Sequence, residues 1–228
     1  MLAVLLAIAG LEWARLCRLG RRGAWLYAAA LAAVFLVSDT IGLQRALLAA
    51  AAVFWVAVAP LWMRRGVRPH QATWIGASGF AVLLPAGLAM LALEPLEVLL
   101  VLVLIWIADS AAYFAGRTWG RHKLAPAISP GKSWEGAAAG LSGTLAYAII
   151  LGFFIQAIAW APFLAAAAAL FMVSVVGDLF ESAVKRQAGV KDSGTILPGH
   201  GGVLDRIDST TAALPLAALL WPMLRAGA

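Results

Sequence analysis

Apolar residues run through this chain in long blocks, separated by short polar stretches rich in Arg, Gly and Pro. A helix rises about 1.5 Å per residue, so crossing a hydrocarbon core of about 30 Å takes about 20 mostly apolar residues. On that measure the pattern predicts about eight transmembrane helices, near residues 1–17, 24–38, 46–62, 72–92, 97–116, 136–156, 160–178 and 209–225. The expected fold class is all-α, a polytopic integral membrane protein. The first two blocks are short, which leaves less tilt, a partly interfacial position, or a hairpin that does not fully cross. Glu94-Pro95-Leu96-Glu97 and Trp160-Ala161-Pro162 read as turns. Met1 to Gly10 lacks the basic start and polar follow-on of a secretory signal, so the first block reads as a retained span.

Composition agrees with this picture. Hydrophobic residues make up 63% of the 228 and charged ones 12%, against roughly 45–50% and 25% in soluble domains, which excludes an ordinary water-soluble globule. The 17 basic and 11 acidic residues leave a net charge of +6. Basic residues punctuate apolar runs instead of covering a solvated surface, so a nucleic-acid binder is set aside. Cys17 is alone and can form neither an internal disulfide nor a thiolate metal cluster.

Charge also orients the spans. Arg15, Arg18, Arg21 and Arg22, then Arg64, Arg65 and Arg68, then Arg117, Arg121, Lys123 and Lys132, then Lys185, Arg186, Lys191 and Arg206 fall in alternate connections. Fifteen of the 17 basic residues therefore share one side, leaving only Arg45 and Arg225 opposite, where Asp39, Glu94 and Glu97 also sit. Basic connections accumulate in the cytoplasm, so both termini are expected outside and the long polar connections inside.

Two of those connections hold the candidate chemistry. Residues 109–135 and 177–208 contain seven of the 11 acidic residues: Asp109, Glu135, Asp178, Glu181, Asp192, Asp205 and Asp208. An acid such as Asp109, at or near the edge of the hydrocarbon, is a functional candidate by default, with a hydrogen-bonded packing role as the alternative. Helical spacing stacks Asp178, Ser182 and Lys185 on one face and sets Glu181 four residues before Lys185, which a solvated helix end would also explain. Residues 191–202 hold too many Gly and Pro residues for a helix, and their bare amides suit phosphate oxygens. Asp205 and Asp208 bracket Arg206, and carboxylates beside phosphate-binding groups are what Mg²⁺ sites use. Ser129-Pro130-Gly131-Lys132-Ser133 lacks the first glycine of a P-loop, since Pro126 stands there, and a P-loop ATPase is rejected. Ser133 is expected to cap a helix beginning Trp134-Glu135-Gly136, its amides and Lys132 forming an anion site. His200 reads as a catalytic base, a metal ligand or a structural residue, with neither His70 nor His122 at ligand spacing.

The stretch Ser182 to Asp208, with Lys185-Arg186, Lys191-Asp192, Gly194, Leu197-Pro198, His200-Gly201-Gly202, Asp205-Arg206 and Asp208 in place, resembles the signature of the phosphatidate cytidylyltransferases, or CDP-diacylglycerol synthases. A second block from Asp109 through Tyr113 and Gly116-Arg117 to Ser129–Gly136 is also similar, with Ser133 where Thr is common. The likeness covers roughly residues 105–210; the first hundred match only as membrane spans, and the chain is shorter than many members. The resemblance implies N-terminal transmembrane helices over 1–96 and a catalytic region over 97–228. It implies CTP and phosphatidate as substrates in phospholipid biosynthesis, a bilayer setting, a homodimer, and an inner-membrane enzyme whose active site faces the cytoplasm. It assigns Asp178 and Asp205 to a divalent metal such as Mg²⁺, with Asp208 a further ligand and Asp109 a supporting acid. Lys132, Lys185, Arg186, Lys191 and Arg206 are then phosphate-holding cations, and Ser129, Ser133, Ser182, His200, Gly201 and Gly202 join the substrate-binding set. The rivals are a CTP-using enzyme for another lipid, such as a polyprenol kinase or an archaeal-type CDP-lipid synthase; a transporter with a broken mid-membrane helix; and a non-catalytic scaffold.

Overall fold

The computed structural model describes residues 1–66, 72–155, 159–194 and 201–226. Within them the expected eight apolar rods are all helical. In order they are α1 (Leu2–Leu16), α2 (Arg21–Thr40), the pair α3 (Gln44–Val53) and α4 (Ala59–Arg64), α5 (Ala72–Ala92), α6 (Pro95–Trp119), α7 (Trp134–Gly152), α8 (Trp160–Ala188) and α9 (Leu204–Ala226). A π-helical turn over Phe54–Val58 joins α3 to α4 into one rod. Pro60 follows it, and its missing N–H and bulky ring disrupt the regular α-helical ladder there. Among the described residues six helices are long and apolar enough to cross a membrane: α2, α3–α4, α5, α6, α8 and α9. With 15 residues, α1 is about 22 Å long, short of the hydrocarbon thickness.

Both segments read as turns are helix starts. Glu94 caps α6, where its backbone N–H donates to Glu97 Oε2 at 2.8 Å and Pro95 occupies the first position. Proline suits a first turn because the amides there lack an intrahelical acceptor. Trp160 likewise opens α8, with Pro162 in its first turn.

The all-α expectation needs one addition, an antiparallel hairpin of β1 (Lys123–Ala125) and β2 (Ser129–Ser133), with Lys123 opposite Ser133 and Ala125 opposite Ser129. The ladder continues into α7, where Trp134 N donates to His122 O at 2.9 Å. Strands of three and five residues containing Pro130 and Gly131 carry no alternating apolar pattern, so nothing in the sequence predicts them.

Sequence neighbours pack as helical hairpins: α1 with α2, α6 with α7, α8 with α9. The last helix is also central, lying against α3, α5 and α6. Between α6 and α7 small residues allow close approach: a Cβ at Gly136 would stand 2.8 Å from Ala112 O, and one at Gly140 3.0 Å from Ala108 O. That crossing fixes Asp109 and the hairpin relative to each other. Bonds from Trp13 Nε1 to Ile75 O and from Tyr27 OH to Gly76 O, both 2.7 Å, tie α1 and α2 to α5.

The basic connections meet at one end of the bundle. Arg18, after α1, donates to Ala188 O at the end of α8 (3.2 Å), and Arg186 Nε donates to Ile128 O in the hairpin (3.4 Å). Trp62 and Met63, at the end of α4, pack against the cluster of Ile128, Leu179 and Ala183.

Candidate active site

The site is built around the last turns of α8. With 29 residues this helix is about 43 Å long, so it outruns a hydrocarbon core and carries Asp178, Glu181, Ser182 and Lys185 past its apolar stretch, as the spacing predicts. It stops at Gly189, whose φ of +73° is the left-handed conformation glycine adopts freely, and Val190 N returns to Lys185 O at 3.0 Å. Lys185 is nearly buried between two carboxylates. Its Nζ lies 2.6 Å from Asp205 Oδ1 on α9 and 3.2 Å from Glu181 Oε1, the i,i+4 pair expected from the sequence. Lys132 reaches over from β2 to Asp178, Nζ to Oδ2 at 2.6 Å, and Ser182 Oγ donates to Asp178 Oδ1 at 3.4 Å. Four predicted residues from three elements thus form two ion pairs on one surface.

Asp208 and Asp109 complete it. Asp208 Oδ1 accepts the Ser209 amide at 2.7 Å, and its charge interacts with those of Asp178, Lys185 and Lys132. Asp109 on α6 interacts with Asp178 and Lys132 in the same way. The close approach of α9 depends on Gly177, where a Cβ would stand 2.7 Å from Asp208 O. Among the described residues no three His, Cys, Asp or Glu side chains form a cage for a metal ion. The donor set nevertheless fits Mg²⁺, a hard cation held by one or two carboxylates with substrate phosphates completing its shell. Asp178 and Asp208 supply such oxygens. Asp205 is more heavily engaged: Oδ1 meets Lys185, and Oδ2 alone accepts Ser193 N (2.9 Å), Ser193 Oγ (2.9 Å) and Gly202 N (2.8 Å), whereas each Asp178 oxygen meets a single donor, Lys132 or the longer Ser182 bond.

A residue that sequence reasoning passed over organises the glycine segment. Glu12 of α1 is fully buried, and its carboxylate accepts Val203 N on Oε1 (3.0 Å) and both Leu204 N (2.9 Å) and Ser193 Oγ (3.3 Å) on Oε2. It caps the start of α9 from the far end of the sequence. Of the amides expected to meet phosphate, those of Ser193 and Gly202 are held by Asp205, and the next along the chain, Val203, is held by Glu12. The glycines serve that approach: a Cβ at Gly194 would collide with Glu12 Oε1, and one at Gly202 would stand 2.6 Å from Glu12 Oε2. Gly201, at φ +83°, takes a backbone conformation that side-chain-bearing residues rarely adopt. The available signal was a lone acid in an apolar helix, the same signal that singled out Asp109. Residues 195–200, His200 among them, lie outside the described residues, as does His70.

The hairpin side is built more locally. Ser133 caps α7 as expected, its Oγ accepting Gly136 N at 3.1 Å. The amides assigned there to an anion are also occupied, Gly136 N by Ser133 and Trp134 N by His122 O. Glu135 Oε1 lies 2.6 Å from His122 Nδ1. That bond, helped by backbone N–H donors, holds the Glu135 carboxyl down at about 2. Ser129 begins β2 half-buried, while Arg186, Lys191 and Arg206 present exposed cations around the site.

Comparison with known proteins gives a match to the cytidylyltransferase family over residues 1–224. A protein of Pseudomonas aeruginosa named phosphatidate cytidylyltransferase is 42% identical over 226 residues, 92% of this chain and 82% of that protein. Proteins of the same name from Haemophilus influenzae and Thermotoga maritima are 52% and 42% identical over 122 and 132 residues. Those two matches cover 51% and 55% of this chain and 42% and 49% of the relatives, under half of each relative's length.

Proposed function

The chain belongs to the cytidylyltransferase family, and from that premise we propose that it transfers the cytidylyl group of CTP to phosphatidate at the membrane surface. A phosphate oxygen of the lipid attacks the α-phosphorus of CTP and forms a new P–O bond. The bond from that phosphorus to its bridging oxygen breaks, and the electron pair leaves with pyrophosphate. The products are CDP-diacylglycerol and pyrophosphate.

The observation that carries this reading is the pairing of Lys132 with Asp178 and of Lys185 with Asp205 at one end of an apolar bundle. The nucleophile is already an anion, so no protein nucleophile is needed. The obstacle is repulsion between the lipid's phosphate monoester and the triphosphate, and positioned charge is the remedy. Each lysine is held in place by a carboxylate until phosphate arrives to share it. Lys191, Arg186 and Arg206 stand exposed nearby, suited to draw CTP from water. We assign Mg²⁺ to Asp178 and Asp208, where it would neutralise triphosphate charge; Asp205 keeps its place in the metal set only through the family resemblance. The flanking apolar helices let the diacyl chains stay in lipid while the headgroup enters. The density of basic residues at this end supports a cytoplasmic site in an inner membrane, and a homodimer is carried over from the resemblance.

Purified protein incubated with CTP, phosphatidate and Mg²⁺ is expected to release pyrophosphate and form CDP-lipid, and Asp178→Asn to lose at least a hundredfold in rate while staying folded. Label retained from the α-phosphate of CTP marks nucleotidyl transfer; label moving only from the γ-phosphate would mean a lipid kinase instead. Near-normal turnover in folded Asp178→Asn would remove the metal assignment.

A further inference from the structure

Glu12 lies outside both signature blocks, fully buried in α1. We propose that Glu12 is a positioning residue for cytidylyl transfer, a role that rests on the activity proposed above: it fixes Ser193, Val203 and Leu204, and through them the Asp205–Lys185 pair. The connection is continuous. Ser193 is the common partner, its Oγ 3.3 Å from Glu12 Oε2 and 2.9 Å from Asp205 Oδ2. Its backbone N–H also donates to Asp205 Oδ2. Beyond Asp205 the chain of contacts ends on Lys185 Nζ, 2.6 Å from Oδ1. From the other side, Glu12 accepts the amides of Val203 and Leu204, the two residues before Asp205. A carboxylate is the group that fits, because the Val203 and Leu204 amides can only donate, one to each oxygen, while the single proton of the Ser193 hydroxyl is shared between Glu12 and Asp205. Burying a charge here is tolerated because two backbone amides, the shared Ser193 hydroxyl and the positive end of the α9 dipole surround it. Neither Gly194 nor Gly202 has room for a side chain of its own: a Cβ at either would meet the Glu12 carboxylate, and at Gly202 the Ser193 hydroxyl as well. The first helix is thereby part of the active site, although it contacts neither Lys185 nor Asp205 directly in this network.

Glu12→Gln tests this, since the amide keeps size but turns one acceptor oxygen into a donor aimed at a donor. Wild-type formation of CDP-lipid is the control for the activity itself; if it fails, the proposed function fails, whatever Glu12 does. Given that activity, folded Glu12→Gln is expected to lose at least tenfold in kcat, with the KM for phosphatidate within twofold. Trypsin should also cut after Lys191 at least tenfold faster in the absence of substrate, a readout independent of turnover. Ser193→Ala, which removes only the bridging hydroxyl, is expected to move both readouts in the same direction by a smaller factor. Adding it to Glu12→Gln should cost less than the product of the two separate losses, because the two residues act through one contact. Wild-type kcat and trypsin sensitivity in folded Glu12→Gln would overturn the proposal. Should Glu12→Gln not fold, the same result in folded Ser193→Ala would overturn it equally.

Discussion

Gly177→Ala separates active-site geometry from stability. A Cβ there would stand 2.7 Å from the carbonyl oxygen of Asp208 and 2.8 Å from Ala212 Cβ, where ordinary contact begins at 3.4 Å. The two helices must part locally by about 0.7 Å, and overpacking of this kind costs about 1–3 kcal/mol. Replacing glycine by alanine inside a helix returns about 1 kcal/mol, so the net loss of stability is about 0–2 kcal/mol. The displacement falls on Asp208 itself and beside Asp178, the two carboxylates assigned to metal. Misplacing catalytic groups by about 1 Å costs about a hundredfold in rate, so a loss between about 10- and 100-fold is expected. The assay pairs CDP-lipid formation at saturating CTP with thermal unfolding in detergent. Gly76→Ala is the control: it gains the same helix propensity, and nothing lies within 4 Å of its added Cβ. Activity in Gly177→Ala within twofold of both wild type and the control would refute the idea that this crossing sets the site.

Two further outcomes test the charges. Lys185→Met leaves Glu181 and Asp205 facing each other without their cation, and removing one partner of a buried pair costs about 3–5 kcal/mol. Glu181→Gln in the same chain should recover part of that stability in an unfolding titration while turnover stays abolished; a Lys185→Met protein as stable as wild type would mean the pair is solvated. For orientation, Lys191→Cys in a Cys17→Ser background should react with a membrane-impermeant thiol reagent only from the cytoplasmic side, and labelling of intact cells from outside would reverse the assignment.

Much of the molecule is local in sequence. Apolar blocks of helical length, the i,i+4 spacing of Glu181 and Lys185 and the Ser133 cap each involve residues within one or two helical turns, so a single stretch of chain encodes them. Even the gathering of basic connections at one end follows from alternation, since successive spans reverse direction. The starts of α6 and α8 read along the chain as turns, because proline is as much at home in a turn as in the first turn of a helix.

What only the tertiary structure decided is which groups meet. Lys185 and Asp205 lie 20 residues apart, and Glu12 and Leu204 lie 192 apart; no periodicity couples such positions. Gly194 and Gly202 look, along the chain, like a cradle for phosphate, yet the folded protein fills the space with the Glu12 carboxylate. An amide N–H donates to whichever anion packing brings within 3 Å, and only the crossing of α1, α8 and α9 determines that this anion belongs to the protein.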